Sequence, residues 1–317
     1  MIFRIRLNLM KWRNVSLLCL PALVASPGLD RSVLAMGTRL DLHLEGPGHL
    51  DAASEAALRE SARIEAACST WKPASAWSRL NAAGGRPVAL APEWLEVLAQ
   101  AQAWQRRTEG AFDPVLMALM RVWDIRGGGH RHPSAAELAR ARRASGSALL
   151  VLDRKAGTAR LRDPEAGVEE GGFLKGYALD RMRAAAGTPG GLLNFGGQLL
   201  AWGRPVEASI ADPQDRQRPR LSIRLKDASL SSSGTSERGR HILDPRTGRR
   251  CPAWGSVAVV APDGLTADIL STALYVLGPE RGLAWADRHG TAAAFLLNDG
   301  TIRMSPAFRA LHPKELR

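Results

Sequence analysis

Residues Thr266 to Leu277 read as a helix, and one stripe of that helix is chemically unusual. At about 100° per residue, Ile269, Leu270, Ala273, Leu274, Val276 and Leu277 fill one broad apolar face. Asp268, Ser271, Thr272 and Tyr275 gather on the remaining stripe. A solvated face would ordinarily carry Glu, Lys or Arg. One carboxylate and three hydroxyls, with no long charged side chain, suit a wall facing a polar cavity. Asp268 and Thr272 stand four apart, so their oxygens can converge on one cation. Oxygen-only ligation suits Mg²⁺, which keeps waters or substrate phosphates in its shell. An ordinary hydroxyl-bearing helix face is the competing reading.

Three further segments could do chemistry. Glu170-Gly171-Gly172-Phe173-Leu174-Lys175-Gly176-Tyr177 leads straight into a helix. Glycines there let the backbone approach a ligand, the helix N-terminus favours anions, and Lys175 adds a mobile positive charge. The spacing matches neither a Walker A loop nor a dinucleotide fingerprint, and a tight strand-to-helix turn would look the same. Asn194-Phe195-Gly196-Gly197 ends a short strand. Its glycines either offer N–H groups to a phosphate or flavin edge, or simply make a turn or bulge. His241-Ile242-Leu243-Asp244-Pro245-Arg246-Thr247-Gly248 is turn chemistry around a histidine. His241 is either a general base near neutrality or a loop histidine bonded to backbone.

The elements that must position these residues alternate between short strands and helices. Leu40, Leu42 and Leu44 mark a half-buried strand. Asp51 to Ala67 and Ala91 to Arg106 read as helices, and Arg126 to Pro133 as a Gly- and His-rich loop. Ser134 is placed to cap a short basic helix ending near Ser145. Leu149–Leu152 and Ala159–Arg162 flank a turn and read as a hairpin. Gly176 to Ala186 continues as a helix, and Leu192 to Phe195 as a strand. Further strands are expected over Leu221–Leu225, Gly255–Val260 and Ala292–Leu297, the last turning at Asn298-Asp299-Gly300 into Ile302. No repeat or long linker appears. The pattern predicts an α+β fold, one domain of mixed sheet packed with helices over residues 31–317, preceded by a distinct segment 1–30.

The 317 residues carry 43 Lys+Arg against 31 Asp+Glu, a formal charge of +12. Such a field favours anionic partners. The arginines are scattered, however, and no basic stripe with interleaved aromatics exists, which argues against nucleic acid. Cys19, Cys68 and Cys251 show no metal-finger or disulfide spacing. Arg4, Arg6, Lys11 and Arg13 precede an apolar run, Val15 to Val24, that resembles an export signal. The run is shorter than the about 20 residues of a spanning helix. Pro27 makes cleavage after Ala25-Ser26 unfavourable, so a plain N-terminal extension is the competing reading. A periplasmic or inner-membrane-associated location is the expectation, with a cytoplasmic one otherwise.

Taken in order, the segments resemble the FAD:protein FMN transferases, the ApbE family. The landmarks are Met36-Gly37-Thr38, Ser69-Thr70-Trp71 with Ser75 and Asn81, and Gly110-Ala111-Phe112-Asp113-Pro114. They continue with Gly171 to Asp180, Asn194 to Gly197, His241 to Gly248, and Ala267-Asp268 through Ser271-Thr272-Ala273-Leu274. The resemblance implies that Met36, Trp71, Ala111, Phe112, Asp113 and Glu169 line the flavin site, with Lys175 and Leu243 touching FAD. It implies that Gly172, through its carbonyl, and Asp268, Ser271 and Thr272 hold Mg²⁺, with Mn²⁺ an alternative. FAD is then the substrate, and the acceptor is a Ser or Thr of a flavin-carrying protein, such as a quinone reductase subunit.

This chain departs from the family pattern at three places. Glu169 stands where an aspartate is usual, Gln198 replaces a frequent aspartate, and Ser271 replaces an aspartate found in some members. Asp268 is left to carry most of the protein's negative charge at the metal. The implied reaction is attack of a protein hydroxyl on the FMN-side phosphorus, with AMP leaving. His241 is the expected general base, with Asp244 orienting it and Lys175 stabilising charge. A metal-dependent FAD pyrophosphatase or a non-catalytic flavin-binding protein are the alternatives.

Overall fold

Strand alternation at period two decides the architecture, because both faces of the main sheet are covered. A computed structural model describes residues 28–234 and 241–316. The segment read as a possible export signal falls within residues 1–27, outside the described residues. Among the described residues no helix is long and apolar enough to cross a membrane.

The first half of the chain runs β1 (Gly28–Ala35), β2 (Thr38–Glu45), α1 (Leu50–Cys68), α2 (Ala76–Ala82), β3 (Val88–Ala89), α3 (Pro92–Arg107), α4 (Met117–Val122), α5 (Ala135–Arg143), β4 (Leu150–Asp153) and β5 (Thr158–Leu161). After α6 (Leu174–Ala186) come β6 (Gly190–Phe195), β7 (Gln198–Trp202), β8 (Val206–Ala211), β9 (Pro219–Leu225), β10 (Ala228–Gly234) and β11 (Gly255–Ala261). The chain ends with α7 (Gly264–Arg288), β12 (Ala292–Leu297), β13 (Ile302–Met304), α8 (Pro306–Arg309) and β14 (Lys314–Glu315).

Eight strands form one sheet in the order β1-β2-β6-β7-β10-β11-β12-β13, antiparallel throughout. Leu193, Leu200, Val257, Val259, Ala293 and Phe295 pack into the cluster shared with α1, α6 and α7. Their sequence neighbours Leu192, Leu199, Ala258, Ala294 and Leu296 enter a second cluster, against the small sheet β14-β9-β8 and Phe308 of α8. The chain is thus an α+β layered domain. Strands β4 and β5 make the expected hairpin, extended by β3. Ser134 caps α5 with a reciprocal Glu137 bond, as its position predicts. Cys68 and Cys251 are buried.

One expectation holds and one open alternative is decided. The helix read over Thr266 to Leu277 is broken at Gly278, which takes φ 80° and ψ 172°, and a second helical stretch follows from there through Arg288. Proline can start a helical turn because its missing N–H would be unbonded there anyway. Gly196-Gly197 is a tight β6–β7 turn with φ 60° and 94°, not an anion cradle. Its amides are already taken: Gly196 N donates to the Arg39 carbonyl at 2.9 Å, and Gly197 N to Asn194 Oδ1 at 3.0 Å.

The contact that positions the chemistry is between α6 and α7. A Cβ at Gly176 would lie 2.1 Å from the Gly264 carbonyl oxygen and 2.8 Å from Asp268 Cβ. Asp180, one turn along α6, accepts from Gly264 N at 2.6 Å and Leu265 N at 2.9 Å. Burial pushes the Asp180 carboxyl up to about 6 despite those two amides. Replacing Gly176 with Ala should therefore force the two helices apart. We expect a stability loss of about 1–3 kcal/mol or more in denaturant unfolding, because the obstructing atoms are backbone.

Candidate active site

Two segments distant in sequence meet where α6 begins beside the first turns of α7. Asp268 is 6% exposed, and its Oδ2 accepts from Gly176 N at 3.0 Å. That amide lies in the first turn of α6, where no intrahelical acceptor exists, and Asp268 supplies one from α7. The Gly172 carbonyl precedes the N-cap Phe173 and stands outside the helical ladder. A Cβ on Gly172 would stand 3.4 Å from Thr272 Oγ1 and 3.4 Å from Phe112 Cε2. Gly172, Asp268 and Thr272 therefore border one space, and all three line a cavity of about 960 Å³.

The donor set suits a hard divalent cation. Asp268 Oδ1 and Thr272 Oγ1 make no hydrogen bond to a described residue, and the Gly172 carbonyl completes a neutral-plus-anionic oxygen group. Among the described residues no three His, Cys, Asp or Glu cluster as metal ligands. One carboxylate with a hydroxyl and a carbonyl is a weaker site alone, and suits an ion that also takes substrate phosphates. Burial holds the Asp268 carboxyl above its ordinary range, while Lys175 and the Gly176 amide pull it down. Lys175 lines the cavity and forms no ion pair with a described residue.

The stripe read from the sequence divides in two. Asp268 and Thr272 face the cavity. Ser271 is fully buried on the sheet side, with its Oγ 3.1 Å from Ser231 Oγ and 2.9 Å from Ser233 Oγ. It also donates to the Asp268 carbonyl at 3.0 Å. Tyr275 donates to the Pro252 carbonyl at 2.9 Å and stacks on Trp254. Ser271 is thus a strut between β10 and α7 here, placed behind Asp268 rather than beside it.

The residues expected around the flavin do line the same cavity: Met36, Trp71, Ala111, Phe112, Asp113, Glu169 and Leu243. Met36 sits in the β1–β2 turn at φ 44°, with Gly37 at φ 73°. Phe112 packs edge-on to Phe173 at 5.9 Å. Asp113 is buried and also ties two loops, accepting from Val115 N, Ser147 N and Ser147 Oγ. Burial raises its carboxyl above the ordinary range in spite of those donors. Glu169 Oε2 accepts from Gly171 N at 2.9 Å, so that amide is not free for an anion. Burial and the adjacent Glu170 push the Glu169 carboxyl up.

His241 also lines the cavity, while Asp244 gives its carboxylate to Arg246 at 2.9 and 3.0 Å. The neighbour expected to orient His241 is thus engaged by an arginine. Sequence reasoning missed several lining residues, among them Ser231, Ser232 and Ser233 of β10, Arg126, and Asp212 with Arg216 after β8. The three consecutive serines were the available signal, since small hydroxyls at a buried strand mark a polar contact.

The sequence model of the ApbE family matches residues 36–296. The chain belongs to the ApbE family. It is 29% identical to a Klebsiella pneumoniae (strain 342) protein named FAD:protein FMN transferase, over 90% of both chains. A Treponema pallidum (strain Nichols) protein of the same name is 29% identical over 93% of both. The apo crystal structure of the Pseudomonas stutzeri flavinyl transferase ApbE superposes with a TM-score of 0.80 at 28% identity, covering 90% of this chain and 96% of that one. The Thermotoga maritima ApbE protein gives 0.83 at 26%, covering 90% and 99%. The ApbE match contains every segment of the cavity wall described above.

In this ApbE-family chain the raised Asp268 carboxyl fixes the sign of a pH effect. Its folded pKa lies above the unfolded value, so its contribution to stability is complete at low pH and is lost as pH rises through the folded pKa. Without metal at pH 8, Asp268→Asn should therefore melt higher than the unaltered protein, an advantage that shrinks toward pH 4. Added Mg²⁺ should raise the melting temperature of the unaltered protein and leave Asp268→Asn unmoved. Differential scanning fluorimetry reads both, and equal Mg²⁺ shifts in the two proteins would remove Asp268 from the cation site.

Proposed function

We propose that the chain transfers the FMN half of FAD to a Ser or Thr hydroxyl of an acceptor protein and releases AMP. What carries this reading is the convergence of Gly172, Asp268 and Thr272 on the cavity that Met36, Trp71 and Phe112 also line. A ring-binding wall and an oxygen-donor corner in one cavity suit a dinucleotide whose pyrophosphate is the reacting part. The relatives' name, FAD:protein FMN transferase, supports the same substrate.

Asp268 Oδ1, Thr272 Oγ1 and the Gly172 carbonyl would hold a divalent cation, Mg²⁺ or Mn²⁺. When bound, it neutralises pyrophosphate charge in the transition state. Lys175 stands over the same corner and adds positive charge where the leaving phosphate gains negative charge. The aromatic and apolar wall from Met36 to Phe112 fixes the flavin end and keeps water from the phosphorus. The acceptor oxygen bonds to the FMN phosphorus, the bond to the AMP oxygen breaks, and His241 takes the hydroxyl proton at a ring nitrogen. Ser271 acts behind the site by fixing the turn that carries Asp268.

The test is mass spectrometry of an acceptor protein incubated with this chain, FAD and Mg²⁺. We expect an added FMN on one Ser or Thr, equimolar AMP, and at least a hundredfold loss with Asp268→Ala. Free FMN and AMP formed at the same rate without acceptor would make the chain a pyrophosphatase, and recovery of intact FAD would leave only binding.

A further inference from the structure

At the rim of the cavity Trp71 is 65% exposed, one of two large hydrophobic side chains so exposed among the described residues. One face of its indole is covered by the Arg126 guanidinium, centred 4.3 Å from the ring. Much of the rest of the ring is left exposed, and Trp71 and Arg126 both line the cavity. Arg126 is not held there by Trp71 alone. Its Nη1 donates to the Thr70 carbonyl at 3.2 Å, and its Nη2 donates to Thr70 Oγ1. Thr70 in turn gives its amide to Glu170 Oε1 at 2.9 Å, and its hydroxyl also bonds that carboxylate. Arg126 Nη2 stands 3.7 Å from Glu170 and 3.9 Å from Glu169.

We propose that Arg126 is a positioning residue that fixes Trp71 as a stacking platform for a planar heteroaromatic ring of the bound nucleotide. An exposed tryptophan on a loop samples several rotamers, and ordering it upon binding costs affinity. Arg126 holds one face of the indole by a planar cation–π contact and anchors itself to Thr70, the residue before Trp71 in the chain. The anchor ends on Glu170, two residues before Gly172. The platform is thereby set at a fixed distance from the oxygen corner, as a rigid dinucleotide span requires. Lysine has no planar fork and cannot reproduce both the stack and the two Thr70 bonds.

The inference rests on the reading that the cavity binds a flavin nucleotide. If FAD fails to bind the unaltered protein, that reading falls; the variants address Arg126 only once binding is seen. The ring is the flavin or the adenine, and titrations with FMN and with AMP separate the two. Fluorescence or calorimetric titration should show Arg126→Met and Arg126→Lys each weakening FAD and one of the half-ligands by about tenfold. The other half-ligand should be unaffected, and melting temperatures should stay near that of the unaltered protein. Trp71→Ala should weaken the same half-ligand, and adding Arg126→Met to it should cost little more, since the two act as one unit. Full affinity in Arg126→Lys would overturn the proposal, as would additive losses in the double variant. Unchanged binding with a lowered melting temperature, or equal weakening of inorganic pyrophosphate, would overturn it too.

Discussion

The hydrogen bond from Gly176 N to Asp268 Oδ2 is the constraint on which the candidate site depends. It ties the first turn of α6 to the second turn of α7. A carboxylate buried to 6% exposure is costly, and one amide does not satisfy it. Asp268 lines the cavity and its Oδ1 makes no hydrogen bond to a described residue, so the fold leaves this carboxyl incompletely satisfied there. Two glycines in mutual contact, Gly176 and Gly264, make the approach close enough for that bond. Asp180 then secures the start of α7 from the same side of α6.

Much of this was legible in the sequence. Helical spacing places Asp268 and Thr272 together, and the glycines before α6 mark a stretch where backbone can come close to a ligand. Periodicity cannot tell which side of a helix meets a sheet and which meets a cavity. That is why Ser271 and Tyr275 were grouped with Asp268, although β10 and the Pro252 carbonyl claim them. Strand β10 itself escaped notice because its sequence, Ala-Ser-Leu-Ser-Ser-Ser-Gly, offers one large apolar side chain. Its alternation is real, but the buried partner face is made of serines. β7 escaped for the opposite reason, being buried along its whole length with no polar beat to read.

Pairwise electrostatics across distant segments were the least legible part. Nothing near Asp244 in sequence space distinguishes His241 from Arg246 as its partner, and the structure gives it to Arg246. Likewise Arg126 lies in a loop whose glycines and histidines suggested only a break in regular structure. Its importance depends on Thr70 and Trp71, 56 and 55 positions away in a chain whose folding alone brings them together.

Adjacent residues Glu169 and Glu170 show how the two ends of the site are kept in register. Their carboxylates serve opposite directions: Glu169 closes on the Gly171 amide of the oxygen corner, and Glu170 reaches out to Thr70 at the rim. Burial raises the proton affinity of Glu169, and repulsion from Glu170 raises it further. The arrangement persists because each group is hydrogen-bonded and Arg126 lies within 4 Å of both. A shorter aspartate makes the same bond to the amide two residues on elsewhere in this chain, as Asp113 does to Val115 N, so the turn does not depend on the extra methylene of Glu169. The glycine turn is shaped by a carboxylate of its own loop before any ligand arrives.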